Sequence, residues 1–164
     1  MRIKLKKLTA FILIGVLILG CAACTKENPP APAYAVYETD LFTISVPEDL
    51  ETYVSENQDY DLVLDGEKVI VFIQSVPISD FTDDGYTLED IRDAIYDGND
   101  VNENGLRYMA YTSEAEGIEY FFVYSLLNDN ERLYDVTLAC LDETKDLYRD
   151  EMLEILSGIE MKNE

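Results

Sequence analysis

The sequence predicts an α+β fold, a three-layer α/β/α sandwich around a mainly antiparallel sheet of about seven strands. Three observations lead there. Val69-Ile70-Val71-Phe72-Ile73 and Tyr120-Phe121-Phe122-Val123-Tyr124 are apolar at successive positions. A strand built from either run is apolar on both faces and needs cover on both. The links within the last three strand-like segments are short enough for hairpins, so those strands are antiparallel. Two stretches of helical period supply the outer layers.

In chain order, Phe42 to Val46 alternates apolar and hydroxyl residues, the period of a half-buried strand, and Pro47 ends it. Leu50 to Ser55 reads as a second, weaker strand. Tyr60, Leu62 and Leu64 mark a third, turning at Asp65-Gly66 with glycine supplying a positive φ. Val69 to Ile73 is the fourth. A helix follows. Thr87 caps it, Asp90 completes a capping box, Tyr86 and Ile91 are spaced as a hydrophobic staple, and Gly98 stands just past the end. Asp97 to Gly105 reads as a polar loop. Leu106–Ser113, Gly117–Leu127 and Leu133–Leu141 form three strands, the last with Tyr134, Val136, Leu138 and Cys140 on one face. Thr144 to Ser157 closes the chain as a helix whose stripe is Tyr148, Met152, Ile155 and Ile159.

The chain ahead of this domain has a different character. Arg2, Lys4, Lys6 and Lys7 form a basic head, and Leu8 to Gly20 is an apolar run too short to span a bilayer. Ile18-Leu19-Gly20-Cys21 resembles the lipobox of bacterial lipoproteins. The resemblance implies that the cysteine thiol carries diacylglycerol and becomes the mature N-terminus. Cys24, after Ala22-Ala23, is the alternative site. Two long acyl chains would contribute on the order of 20 kcal/mol of membrane affinity, at about 0.8 kcal/mol per buried methylene. Three segments result: a signal peptide at 1–20, a lipidated N-terminus and proline-rich tether at 21–36, and one globular domain at 37–162. The expected location is the extracytoplasmic face of the cell membrane.

Composition narrows the function classes. The chain of 164 residues carries 34 acidic and 12 basic side chains, a net charge of −22. Four of the basic residues lie in the leader, so the mature chain has 8 against 34, or −26. Such a chain is repelled by nucleic acid and by anionic headgroups. There is no histidine, which removes Ser–His and Cys–His catalysis. No phosphate-cradling glycine motif occurs. With one cysteine spent on lipid, Cys140 is expected to be a buried free thiol.

The order of elements over 37–162 resembles the PsbP-like and DcrB-like group of α+β proteins. The start Phe42-Thr43-Ile44-Ser45-Val46-Pro47 is similar to that group's aromatic–x–apolar–x–apolar–Pro opening, with Leu50 where many members carry Trp. Ile155-Leu156-Ser157-Gly158-Ile159 is similar to its closing helix. The resemblance implies a seven-stranded antiparallel sheet flanked by helices. It also implies a role without catalysis, and it supplies no catalytic residues.

One segment is motif-like. Asp100-Val101-Asn102-Glu103-Asn104-Gly105 matches the first half of a calcium loop, where oxygen ligands alternate before a glycine. Position twelve is Tyr111 instead of Glu. The candidate metal ligands are Asp97, Asp100, Asn102 and Asn104, and otherwise no cofactor is expected. Asp80, Asp83 and Asp84 read as acids favoured at a helix N-terminus. Tyr108, Tyr111, Tyr120, Tyr124 and Tyr134 are expected mainly in the core. The resulting expectation is a lipid-anchored, non-catalytic domain that binds a ligand or an envelope protein partner, or supports an envelope complex. The alternative is a divalent-cation-dependent enzyme using surface carboxylates.

Overall fold

The computed structural model of the chain describes residues 34–52 and 60–162. The leader, Cys21, Cys24, the tether up to residue 33 and residues 53–55 of the second expected strand lie outside the described residues.

Among the described residues, two antiparallel sheets and three α-helices make up the fold. The larger sheet has seven strands in the order β3-β4-β5-β9-β8-β7-β6. These are β3 (Glu51–Thr52), β4 (Leu62–Asp65), β5 (Ile70–Pro77), β6 (Asp100–Glu103), β7 (Leu106–Ala115), β8 (Ile118–Asn128) and β9 (Arg132–Leu141). The smaller sheet has the order β1-β2-β10, with β1 (Tyr34–Glu38), β2 (Phe42–Pro47) and β10 (Ile159–Met161). The helices are the one-turn α1 (Ser79–Thr82), α2 (Leu88–Tyr96) and α3 (Lys145–Ser157).

Burial follows the sequence pattern. In β8, every residue from Tyr120 to Leu126 is buried, as a strand apolar on both faces requires. The first face of the large sheet packs Val71, Ile73, Tyr134, Val136, Leu138 and Cys140 against Met152, Ile155 and Leu156 of α3 and against Phe42, Ile44 and Val46 of β2. Phe42 meets the Tyr134 ring edge-on, with centroids 6.0 Å apart and an interplanar angle of 87°. On the opposite face, Tyr124, Leu126 and Leu133 pack with Ile91 and Tyr96 of α2 and with Phe81 of α1.

Four differences from the sequence expectations have physical causes. Phe42–Pro47 is not in the main sheet. It pairs with β1 and with the three-residue β10, with Ile159 opposite Ile44. A strand of three residues is too short to show a period, and Ile159 reads equally well as a continuation of the α3 stripe. Tyr34, Ala35 and Val36, expected in the tether, belong to β1, because they pair with Pro47, Val46 and Ser45 of β2. The polar loop expected over Asp97–Gly105 is corrected: Asp100–Glu103 is an edge strand paired with β7. Its polar sequence suits an edge, where charge discourages further pairing. Gly66 also has no positive φ. A Cβ there would lie 3.2 Å from both Leu50 Cγ and the Val69 carbonyl oxygen, so close approach is what calls for glycine.

Two hairpins use adjacent residues of positive φ, Asn104 (53°) with Gly105 (84°) and Glu116 (52°) with Gly117 (82°). This is the backbone that matches strand twist in a two-residue turn. Helix α2 starts as its sequence indicates. Thr87 Oγ1 accepts from the Asp90 N–H (3.2 Å), and Asp90 Oδ2 accepts from the Thr87 N–H (2.8 Å). Asp97 ends the helix in the left-handed region, followed by Gly98 at φ 73°.

Tyr96 ties α2 to the sheet. The β7–β8 ladder starts at Met109 opposite Tyr124; before it the two strands separate. Into that gap the buried Tyr96 hydroxyl inserts. It accepts from the Leu126 N–H (2.9 Å) and donates to the Arg107 carbonyl (3.2 Å), which also accepts from buried Ser125 Oγ (2.8 Å). A side chain thus completes a sheet hydrogen bond that the backbone leaves open. Tyr96→Phe strands the Leu126 N–H and is expected to cost about 1–3 kcal/mol in urea denaturation. Hydrogen exchange at the Leu126 amide should accelerate; unchanged exchange would show that another group had taken over the bond.

Candidate functional site

The chemically unusual residue of the fold is Asp135. It lies in the middle of β9, on the α1–α2 side of the sheet. Cross-strand, it stands opposite Gln74 of β5 and Leu126 of β8. A cleft opens above it between the helices and the sheet. Val76, Leu126 and Leu133 form its lower wall, Phe81 of α1 and Ile91 and Ile95 of α2 its upper wall, and Gln74 and Asp135 are its polar members. The cavity volume is about 30 Å³. One water needs roughly 10–15 Å³ on this measure, so the enclosed part of the cleft accommodates about two water-sized groups, and anything longer extends out through its mouth.

The Asp135 carboxylate is poorly compensated. It accepts from Tyr124 Oη (3.2 Å) and Thr137 Oγ1 (3.3 Å), two long bonds from neutral donors. Asp135 retains some contact with solvent through the cleft mouth, yet the protein crowds its carboxyl, and burial pushes its pKa up to about 6. The cations on this side are engaged elsewhere. Arg107 donates from Nε to Asp100 (2.7 Å), from Nη1 to Glu89 (2.9 Å) and from Nη2 to Asp93 (3.4 Å), and its guanidinium lies 4.9 Å from the Tyr96 ring centre. Arg92 donates to Asn128 Oδ1 at 2.5 Å and lies 3.9 Å from Glu89.

Two tyrosines complete the surroundings. Burial, then the Asp135 charge, raises the Tyr124 phenol far above its ordinary range. Tyr111 is pushed up to about 12 by the same causes in the same order. Its hydroxyl is shut off from solvent and has no hydrogen-bond partner among the described residues, while its ring stacks on Phe122 with centroids 5.1 Å apart. Both phenols stay protonated at neutral pH.

The residues singled out from sequence are placed differently. Asp100 and Asn102 lie in extended β6, Asn104 in the hairpin turn, and Asp97 at the end of α2. At about 3.3 Å per residue, Asp100 and Glu103 are roughly 10 Å apart along the strand, so this part of the segment is extended rather than wrapped as a calcium loop is. The Asp100 carboxylate is held by Arg107, whose hydrogen bond lowers its pKa. Among the described residues no three acidic or cysteine side chains converge as a metal site. Cys140 is a buried free thiol, and burial raises its pKa to about 11. Tyr108, Tyr120, Tyr124 and Tyr134 are buried, as expected; Tyr111 is half-buried.

Asp135 itself was legible only in part. The residues opposite the Tyr134–Cys140 face are Leu133, Asp135, Thr137, Ala139 and Leu141. One acid among mainly apolar neighbours, on a strand covered on both sides, is the signal. Reading it requires knowing that β9 is the central strand.

No protein-family model matches the sequence. No curated protein matches it either. Solved structures do. One from Bacteroides thetaiotaomicron aligns with a TM-score of 0.55 at 13% identity, over 75% of this chain and 46% of the other. The chain therefore spans about half the length of that protein. The solution structure of cyanobacterial PsbP (CyanoP) from Synechocystis aligns with a TM-score of 0.49 at 12% identity, over 85% of this chain and 98% of the other. LpqN of Mycobacterium tuberculosis, described as involved in cell envelope biogenesis, aligns at 0.48 and 6% identity, over 83% and 88%. PsbP is among the structural neighbours of this chain. At such identities the likeness is one of fold.

Asp135 sets a pH dependence of stability. Its folded pKa of about 6 lies above the ordinary 3.8. The proton it holds in the fold favours folding below about pH 4, and that contribution disappears as pH rises through 6. Two units correspond to about 3 kcal/mol. Relative to wild type, Asp135→Asn is expected to gain about 2–3 kcal/mol at pH 8 and little at pH 4, measured by denaturant unfolding across pH. A difference that does not change with pH would contradict the raised pKa.

Proposed function

We propose that this protein is a lipid-anchored domain on the extracytoplasmic face of the cell membrane, without catalytic activity, that binds a partner in the cell envelope. The observation that supports it most is the size of the Asp135 cleft. At about 30 Å³ it suits the tip of one side chain rather than a free substrate. A cleft of this size fits recognition through surfaces and through what a partner inserts.

The chain layout fits an anchor. A basic head, a short apolar run and Cys21 precede a proline-rich tether, and the tether leads into Tyr34 on an edge strand of the small sheet. Twelve residues separate Cys21 from Tyr34. In extended polyproline geometry they reach roughly 35–40 Å. No helix among the described residues is long and apolar enough to cross a membrane. The large excess of acid disfavours the domain lying flat on anionic headgroups, which suits a partner held away from the bilayer.

Cys21→Ala is expected to release the chain into the soluble fraction or to leave it as an uncleaved precursor, while Cys24→Ala behaves as wild type. Fractionation with mass measurement reads both. Normal processing and full membrane retention of Cys21→Ala would remove the anchor from the proposal.

A further inference from the structure

We propose that the Asp135 cleft is a receptor slot for a primary ammonium group, presented on a lysine side chain of a basic partner protein. The amine chemistry stands on the cleft itself; the choice of a protein partner rests on the function proposed above.

The lining fits a lysine in both of its parts. Val76, Ile95 and Leu126 offer an aliphatic wall to the methylene stem, which such side chains readily bury. Asp135, with Gln74 directly across from it, offers oxygen acceptors at the bottom. An ammonium has three donors and no acceptor, so it can satisfy these groups without stranding a lone pair of its own. The free space suits a compact ammonium better than a broad, planar guanidinium.

The electrostatics point the same way. A crowded carboxylate is ordinarily paired with a cation, and among the described residues the donors to Asp135 are neutral. The charged and titratable groups on the packed elements are Glu89, Asp90, Arg92, Asp93 and Tyr96 of α2, Asp80 of α1, and Tyr111, Tyr124 and Arg107 of the sheet. The two arginines are held by Asn128 and by Glu89, Asp93 and Asp100. The chain therefore carries acceptors for one more cation at this place. With a net charge of −22 it also attracts basic surfaces from a distance.

The test is a methyl-NMR titration of the full chain in detergent micelles with n-butylammonium chloride. n-Butanol and sodium chloride serve as controls. Saturable shifts are expected at the Ile91, Ile95, Leu126 and Leu133 methyls with n-butylammonium and not with either control. Binding should be about tenfold weaker at pH 5 than at pH 8, because only about a tenth of a carboxyl of pKa near 6 is ionised at the lower pH. Asp135→Asn should weaken it at least tenfold. Equal shifts with n-butanol, binding unchanged by pH in wild type, or full binding by Asp135→Asn would each overturn the slot. Failure here leaves the membrane anchor standing, and retention of Cys21→Ala on membranes would leave the slot standing.

Discussion

The central strands of the large sheet cannot face water on either side, and the rest of the architecture depends on that. Seven consecutive residues of β8, from Tyr120 to Leu126, are buried. A sheet of this kind needs a layer on each face. The chain meets the need asymmetrically. Helix α3 and the small sheet cover one face; α1 and α2 lie against the other. The small sheet brings the beginning and end of the domain together, since β10 pairs with β2 after α3 has crossed the first face. Strand β1, which starts at Tyr34, therefore lies on the covering layer, away from the α1–α2 side.

Against this apolar background the charged groups divide into two kinds. Arg107 gathers three carboxylates between α2 and the edge of the sheet, where water still reaches them and each pair contributes little by itself. Their combined effect is positional: they hold α2 over the gap between β7 and β8 that the Tyr96 hydroxyl fills. Asp135 is the other kind. It sits a few residues from the best-packed part of the molecule without a counter-ion. An acid kept in such a place costs stability at neutral pH, and functional sites are where such costs concentrate.

Much of the fold was legible in the sequence because its signals are local. The capping box at Thr87 and Asp90, the alternation of Phe42 to Val46 and the doubly apolar run of β8 each declare their own structure. What escaped was set by pairing. Asp100–Glu103 and Ile159–Met161 are strands because a neighbour accepts them, and their own residues are polar or too few to show a period. The same limit hid the site. Asp100, Asn102 and Asn104 look like ligands when read along the chain, yet an extended backbone spreads them out. Asp135 looks like one acid among 34 until its strand is known to run through the middle of the sheet.

Asp135 holds its carboxyl group in an apolar cleft with no cation beside it among the described residues. Carbon-13 NMR of the Asp135 side-chain carboxyl, followed from pH 3 to 9, measures it directly. A titration midpoint near 6 is the result the structure predicts. A midpoint near 4, that of an ordinary solvated aspartate, would contradict it.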